Sequence, residues 1–152
     1  TLNLSDKVYG SRSIAAIGVA AHECGHAIQH ARHYVPLTVR SAIIPAANIG
    51  SSLAWPLVLI GLIIPRLNFC MTIGILLFSL VVILQLVTLP VEFNASRRAI
   101  QIIRDSGYLA PDELKGAKSV LKAAAMTYVA AMVSVSLQLL RLVILRNSRD
   151  DN

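Results

Sequence analysis

The stretch "LNFCMTIGILLFSLVVILQLVTLPV", residues 67–91, contains no charged residue and decides the fold class. Its 25 residues, wound as a helix, exceed the roughly 20 apolar residues that span the hydrocarbon core of a bilayer. A second charge-free stretch, residues 41–65, precedes it, and only Arg66 separates the two. The first stretch is interrupted by prolines and polar residues, so its apolar centre, 53–64, also fits a re-entrant or interfacial segment.

Because Arg66 suits a tight turn, we predict a membrane hairpin formed by residues 42–64 and 67–90. A third apolar segment, residues 123–145, carries only Arg141 as a charge, and the sequence leaves open whether it crosses the bilayer. The composition agrees with a protein in lipid: 14% of the residues are charged, against about 25% in soluble domains. We therefore predict a mainly all-α, membrane-embedded fold.

The chain has the length of one domain, and we interpret residues 1–152 as a single membrane domain. It opens on Thr1 without the charged, apolar and cleavage regions of a signal peptide. We interpret it as a fragment whose N-terminal part is missing.

The polar parts of the chain carry signals for the ends of helices. Residues 1–5, "TLNLS", alternate apolar and polar side chains as in a short N-terminal edge strand. Ser13 is a good helix cap and predicts a helix over 13–31. A further helix is predicted from about 91 to 104, ended by Gly107, and Pro111 opens another.

Positive charge is distributed unevenly around the predicted hairpin, whose turn holds only Arg66. The positive-inside rule therefore places both polar parts on the cytoplasmic face. The net charge of +6 suits contact with anionic lipid headgroups. Nucleic acid is not expected as a partner, because no basic stripe with interleaved aromatic residues occurs. The Lys and Arg residues that flank the hairpin are Lys7, Arg12, Arg32, Arg40, Arg97, Arg98, Arg104, Lys115, Lys118 and Lys122.

The motif H-E-x-x-H occurs at residues 22–26, "HECGH". On a helix, residues four apart point the same way, so the imidazoles of His22 and His26 converge on one zinc ion. Glu23 lies to the side, where it can act as general base on a zinc-bound water. The alternative is a polar helix with surface histidines, but the neighbouring residues are small and apolar. Buried histidines there would be costly unless a metal satisfied them.

A catalytic zinc site needs a third protein ligand and one open position. His30 lies about 12 Å along the helix from His22, too far for both to bind one ion at about 2.1 Å. The glutamates outside the motif are Glu92 and Glu113, and Glu113 reads as a solvated helix-start carboxylate. Glu92 follows the hairpin directly. Although it could simply mark a membrane end, the hairpin returns the chain to the face it left, so we predict that Glu92 is the third ligand.

Four stretches spread along residues 8–131 carry a family resemblance: "VYGSRSIAAIGVAAHECGHAIQH", "IIPAANIGSS", "LQLVTLPVEFNASRRA" and "AAAMTYVAA". They resemble the YugP-like neutral zinc metallopeptidases (zinc peptidase type 2), which are related by topology to the HtpX-type membrane proteases and the CAAX prenyl endopeptidases. The resemblance implies a gluzincin-like membrane peptidase in a bacterial-type cell membrane. It implies one zinc ion held by His22, His26 and Glu92, with Glu23 as the base.

The residues around the predicted ligands depart from the related pattern. In HtpX-type proteins the glutamate motif reads E-x-x-A-D, and its aspartate supports the site. Ser96 stands at that place here; it can hydrogen-bond a ligand but cannot hold it as a charged partner. Asn94 and His30 are further candidates for this supporting role. Five residues are candidates for stabilising the oxyanion: Arg97, Arg98, Tyr108, Tyr128 and His30.

The leading hypothesis is a zinc-dependent membrane endopeptidase that cuts a peptide or protein substrate on the cytoplasmic side. The alternative is a non-catalytic membrane scaffold or partner-binding protein in which zinc fixes the fold. A transporter would require charges within the membrane segments, and both long charge-free stretches lack them. Cys24 faces away from His22 on a helix, so we expect it to serve packing.

Overall fold

The computed structural model describes residues 1–150, and regular structure within them is helical. Residues 1–5, for which the alternating pattern predicts a strand, are not in a strand, so this prediction is wrong. Five residues without a neighbouring strand cannot satisfy a ladder of backbone hydrogen bonds. The helices of the described residues are α1 Asp6–Tyr9, α2 Ile14–Ala31, α3 Val35–Ile63, α4 Asn68–Ser106 and α5 Pro111–Asp150, with a 3-10 turn at Pro65–Leu67.

Helix α2 begins and ends where its sequence signals place it. The hydroxyl oxygen of Ser13 accepts a hydrogen bond from the Ala16 amide at 3.1 Å, which caps the first turn. The helix ends at Ala31, as predicted. The capped first turn fixes the start of the helix that carries the H-E-x-x-H motif.

Helix α4 differs from its prediction at Pro90. The sequence predicts that a new helix starts near Val91, but α4 runs without a break from Asn68 to Ser106 and contains Pro90. Proline removes one backbone donor, yet neighbouring hydrogen bonds persist in a long apolar helix, where such a loss is tolerated. Glu92 therefore lies on the same continuous helix as the apolar residues that precede Pro90.

The end of α4 and the start of α5 confirm the predicted signals. Gly107 has a φ of 66°, the left-handed conformation that commonly terminates a helix. Pro111 opens α5, and the Glu113 carboxylate accepts a hydrogen bond from the Ala110 amide at 2.8 Å. Glu113 thus serves as a helix-start carboxylate.

The chain divides into two compact units. The first unit consists of residues 1–38 and 88–129, and so contains α2, the second part of α4 and the first part of α5. Small side chains allow these helices to pack closely, and larger aliphatic residues fill the remaining space. The buried core of this unit consists of Ala21, Ala99, Ile103, Ala117 and Leu121.

The second unit contains residues 39–87 and the described residues from Ala130 onward. Here α3 and α4 pack as an antiparallel hairpin, because later positions on α3 meet earlier positions on α4. A Cβ on Gly50 would contact Leu77, and a Cβ on Gly61 would contact Met71. The buried core residues of this unit are Ala54, Val58, Met71, Ile75, Phe78 and Leu142.

Three helical segments are long and apolar enough to cross a membrane: Val35–Ile63, Pro65–Ser106 and Pro111–Arg149. They contain the predicted hairpin segments, 42–64 apart from Ile64 and 67–90, and the third apolar segment, 123–145. Many large apolar side chains on these helices are exposed, as expected of surfaces that lipid covers. The mainly helical, membrane-type fold is confirmed, whereas the single domain over 1–152 stays a prediction.

Candidate metal centre and active site

Two histidines of α2 and one glutamate of α4 form the candidate site, all within the first unit. One ligand atom from each of His22, His26 and Glu92 lies within 4.8 Å of the others. One Glu92 carboxylate oxygen, Oε2, lies 3.0 Å from His22 Nε2 and 3.5 Å from His26 Nε2. Glu92 is only 2% exposed, although it carries a carboxylate. The three predicted metal ligands are thus brought together.

A close contact between α2 and α4 makes this grouping possible. Gly25 lies between the two histidines, and a Cβ built there would stand 2.5 Å from the backbone oxygen of Ala95. No real side chain tolerates that distance, so only glycine allows the two helix backbones to approach this closely. Ala95 itself is fully buried and lies three residues after Glu92. The glycine of "HECGH" therefore sets the distance between the histidines and the glutamate.

A buried amide fixes the orientation of His26. Gln29 is 0% exposed, and its side-chain nitrogen donates to the backbone oxygen of Val91 at 2.8 Å and to Asn94 Oδ1 at 3.1 Å. The Val91 carbonyl oxygen can only accept, so the Gln29 atom that faces it is the amide nitrogen. The atom at the other end of the amide is therefore the oxygen. This Oε1 lies 2.9 Å from His26 Nδ1. His26 Nδ1 must therefore carry a hydrogen and donate it.

Arg98 determines the orientation of the Asn94 amide in this hydrogen-bond network. Its guanidinium donates to Asn94 Oδ1 at 2.8 Å, and a guanidinium cannot accept. The atom of Asn94 between Arg98 and Gln29 is consequently an oxygen. Arg98 can only donate a hydrogen bond, and the Val91 carbonyl can only accept one. These two fixed roles determine the orientation of the Gln29 amide, and that orientation determines the tautomer of His26.

The donor set fits a zinc ion. With Nδ1 of His26 protonated, Nε2 presents a lone pair toward the Glu92 carboxylate at 3.5 Å. Two acceptors that face each other need a cation or a proton between them. The hydrogen bond with Glu92 accordingly raises the pKa of His26, while burial opposes it. In a tetrahedral zinc site with bonds of about 2.1 Å, ligand atoms stand about 3.4 Å apart, close to the two separations seen here.

The residues predicted to support the metal ligands lie at different distances from them. Ser96 lies 3.2 Å from His22 Nδ1, so it contacts a ligand histidine directly. Asn94 accepts a hydrogen bond from Gln29, which in turn contacts the ligand histidine His26. His30 is exposed, lies beside Thr1 and does not belong to the cluster. The structure therefore places Ser96 and Asn94, but not His30, where they can orient a ligand.

The other candidate residues divide between the site and its surroundings. Glu23 is not in the three-residue cluster, but its charge is near enough to raise the pKa of His26 slightly further. Cys24 is a free thiol outside the cluster. Tyr128 lines a cavity together with His22, whereas Tyr108 is 87% exposed. Of the oxyanion candidates, Tyr128 lies beside a site residue, and Arg98 is engaged by Asn94.

Comparison with known proteins identifies the family. Residues 1–147 match the model of the family described as "Putative neutral zinc metallopeptidase". The chain belongs to this family. It is also 49% identical over 152 residues to the "Putative membrane protease YugP" of Bacillus subtilis, covering 99% of this chain and 67% of that protein. No solved structure matches the chain.

Within this metallopeptidase family member, Gln29 is the site residue that the sequence did not reveal. The available signal was its spacing, three residues after His26, which places both side chains on one face of α2. A glutamine is common on helix surfaces, so spacing alone does not distinguish an exposed residue from a buried one. Only the packing of α2 on α4, which buries Gln29 against Val91, identifies its role.

We expect Gly25→Ala to abolish stoichiometric zinc binding, because the added methyl would push α2 away from Ala95. The matched control is Gly18→Ala on the same helix, where the Cβ would meet Leu121 at an ordinary 3.9 Å. The control should bind zinc normally and gain up to about 1 kcal/mol from helix propensity. Metal analysis and thermal unfolding of the purified proteins provide the measurements. Normal zinc content in Gly25→Ala would contradict the role of the close contact.

We also expect Gln29→Leu to weaken zinc affinity by about 10- to 100-fold, as is typical when the partner of a ligand histidine is lost. The control is His30→Ala, an exposed histidine of the same helix, which should leave the affinity unchanged. Competition with a chelating dye measures the affinity. Nitrogen NMR shifts of His26 should show a fixed Nδ1–H tautomer in the unaltered protein and a mixture in Gln29→Leu. Equal affinities for all three proteins would exclude an orienting role.

Proposed function

We propose that this protein is a zinc-dependent membrane endopeptidase. The observation that carries the proposal is the cluster of His22, His26 and the buried Glu92, in which two imidazole nitrogens converge on one carboxylate oxygen. Two histidines and one glutamate are the protein ligands of a gluzincin-type catalytic site. Membership of a family described as zinc metallopeptidases supports the same chemistry.

Each residue has a distinct part in the proposed reaction. The two histidines and Glu92 hold one zinc ion, which when bound polarises the scissile carbonyl and acidifies a water molecule. Glu23 accepts the proton of the attacking water and delivers it to the nitrogen of the leaving amine. Ser96 and Gln29 hold the ligand imidazoles in position. The oxygen from water joins the carbonyl carbon as the peptide C–N bond breaks.

The number of ligands favours catalysis over a structural scaffold. Structural zinc sites are closed by four protein ligands, whereas catalytic sites keep one position open. Among the described residues, the cluster holds three members, and Cys24 is not one of them. This arrangement supports a peptidase rather than a non-catalytic scaffold that uses zinc for its fold.

The proposed reaction takes place at a membrane, on its cytoplasmic side. The relative from Bacillus subtilis is named a membrane protease, and three helical segments here are apolar enough to cross a bilayer. With basic residues on both flanks of the hairpin, the positive-inside rule supports an active site on the cytoplasmic side. We propose peptides or proteins as substrates and membrane lipid as the surroundings, with no nucleic acid partner.

Glu23→Gln should retain one zinc per chain and lower peptide cleavage by at least about 100-fold, the typical effect of losing a general base. Glu92→Ala should lose both zinc and cleavage. Glu113→Gln is the control, because that carboxylate lies at the start of α5 and should affect neither property. Metal analysis and cleavage of a quenched fluorescent peptide, with and without chelator, provide the measurements.

The possible outcomes separate the two functional hypotheses. Cleavage at an unchanged rate in Glu23→Gln would refute the proposed base. Full zinc retention in Glu92→Ala would remove this residue from the site. If a purified protein binds zinc, unfolds on chelation and cuts no peptide in a broad library, the scaffold hypothesis replaces the peptidase.

A further inference from the structure

A small apolar cavity lies beside the candidate metal centre, wholly within the first unit. Its volume is about 120 Å³, and α2, α4 and α5 each contribute to its wall. His22 and Ser96 form the polar end of the wall. The remaining lining residues are apolar apart from the Tyr128 hydroxyl, and include Val19, Val120, Ala124 and Ala125.

His22 connects this cavity to the metal centre. The same imidazole contributes to the cavity wall and directs Nε2 toward Glu92 at 3.0 Å. Ser96, which lies 3.2 Å from His22 Nδ1, also belongs to both places. An occupant of the cavity would therefore lie directly next to a proposed zinc ligand.

The cavity has the size of one side chain. A cavity of about 150 Å³ binds benzene in a well-studied protein, so about 120 Å³ suits an aliphatic side chain such as that of Val, Leu, Ile or Met. A tryptophan side chain is too large, and a lipid acyl chain is far too long to be enclosed. Two lining residues, Val19 and Ala124, are exposed and provide an entrance.

We propose that this cavity receives one medium-sized aliphatic side chain of the substrate, next to the peptide bond that is cut. The inference rests on the proposed function, since it places the substrate backbone at the metal centre. The wall supplies apolar contact on several sides, and the polar end lies nearest to the reacting bond. The cavity thereby selects an apolar residue at one position beside the scissile bond.

Two substitutions alter the cavity in opposite directions without touching the metal ligands. Ala124→Leu places a larger side chain at the entrance, and Val120→Ala enlarges the interior. The matched control is Ala123→Leu, which adds the same side chain to an exposed neighbour that does not line the cavity. The full chain is purified in detergent, and zinc content and thermal unfolding establish that each variant is folded.

Cleavage of a mixed peptide library, followed by mass spectrometry, measures the preference at each position around the scissile bond. At one position, Ala124→Leu should shift the preference from Leu toward Ala by about 10- to 100-fold, because single apolar groups change specificity by that amount. Val120→Ala should admit Phe at the same position. The control should keep the original preference. If Ala124→Leu fails to fold, the opposite shift in Val120→Ala decides the question.

Binding provides a second readout that does not depend on catalysis. In the Glu23→Gln background, a Leu-containing peptide should bind about 10-fold more weakly, or worse, when Ala124→Leu is added. Zinc-dependent cleavage with an unchanged preference in both cavity variants would overturn the cavity proposal alone. A bound lipid that Ala124→Leu displaces, without a change in peptide preference, would instead assign the cavity to lipid. If the unaltered protein cuts no peptide, the proposed function and this inference both fail.

Discussion

The close approach of α2 to α4 is the constraint on which the candidate site depends. Because a Cβ at position 25 would stand 2.5 Å from the Ala95 oxygen, the two helix backbones meet there almost without side chains between them. The histidines on either side of Gly25 then face Glu92, three residues before Ala95. A nearly buried carboxylate is costly unless it is paired, and this crossing gives it two imidazole partners. One small residue thus determines both the ligand distances and the burial of charge.

The crossing of α2 and α4 also determines the orientation of the His26 imidazole. The contact buries Gln29 against α4, where the Val91 carbonyl and Asn94 take both of its amide hydrogens. The amide oxygen is left for His26, so the imidazole presents Nε2 to Glu92. Packing and hydrogen bonding therefore act together: the glycine sets where the ligands stand, and the glutamine sets which nitrogen the metal meets.

Much of this arrangement could be predicted from the sequence, because local signals were strong. Three residues begin or end a helix as predicted, because each acts through the backbone geometry of its own neighbourhood: Ser13, Gly107 and Pro111. The sequence predicts Glu92 as the third ligand because the chain contains few glutamates and because the apolar hairpin returns the chain to the face it left. The sequence predicts a new helix after Pro90, and it does not reveal that the neighbouring helical hydrogen bonds compensate for the missing donor. Nor does it reveal Gln29, because the role of this residue depends on a tertiary contact.

X-ray absorption of the zinc-loaded full chain is the measurement that most directly tests the central claim, a three-residue site with one open position. We predict one zinc ion surrounded only by nitrogen and oxygen, with two imidazoles, one carboxylate and one exchangeable solvent ligand at about 2.0–2.2 Å. A sulfur neighbour at about 2.3 Å would bring a cysteine thiol such as that of Cys24 into the site and contradict the assignment. A fourth protein ligand in place of solvent would contradict the open position and indicate a structural zinc.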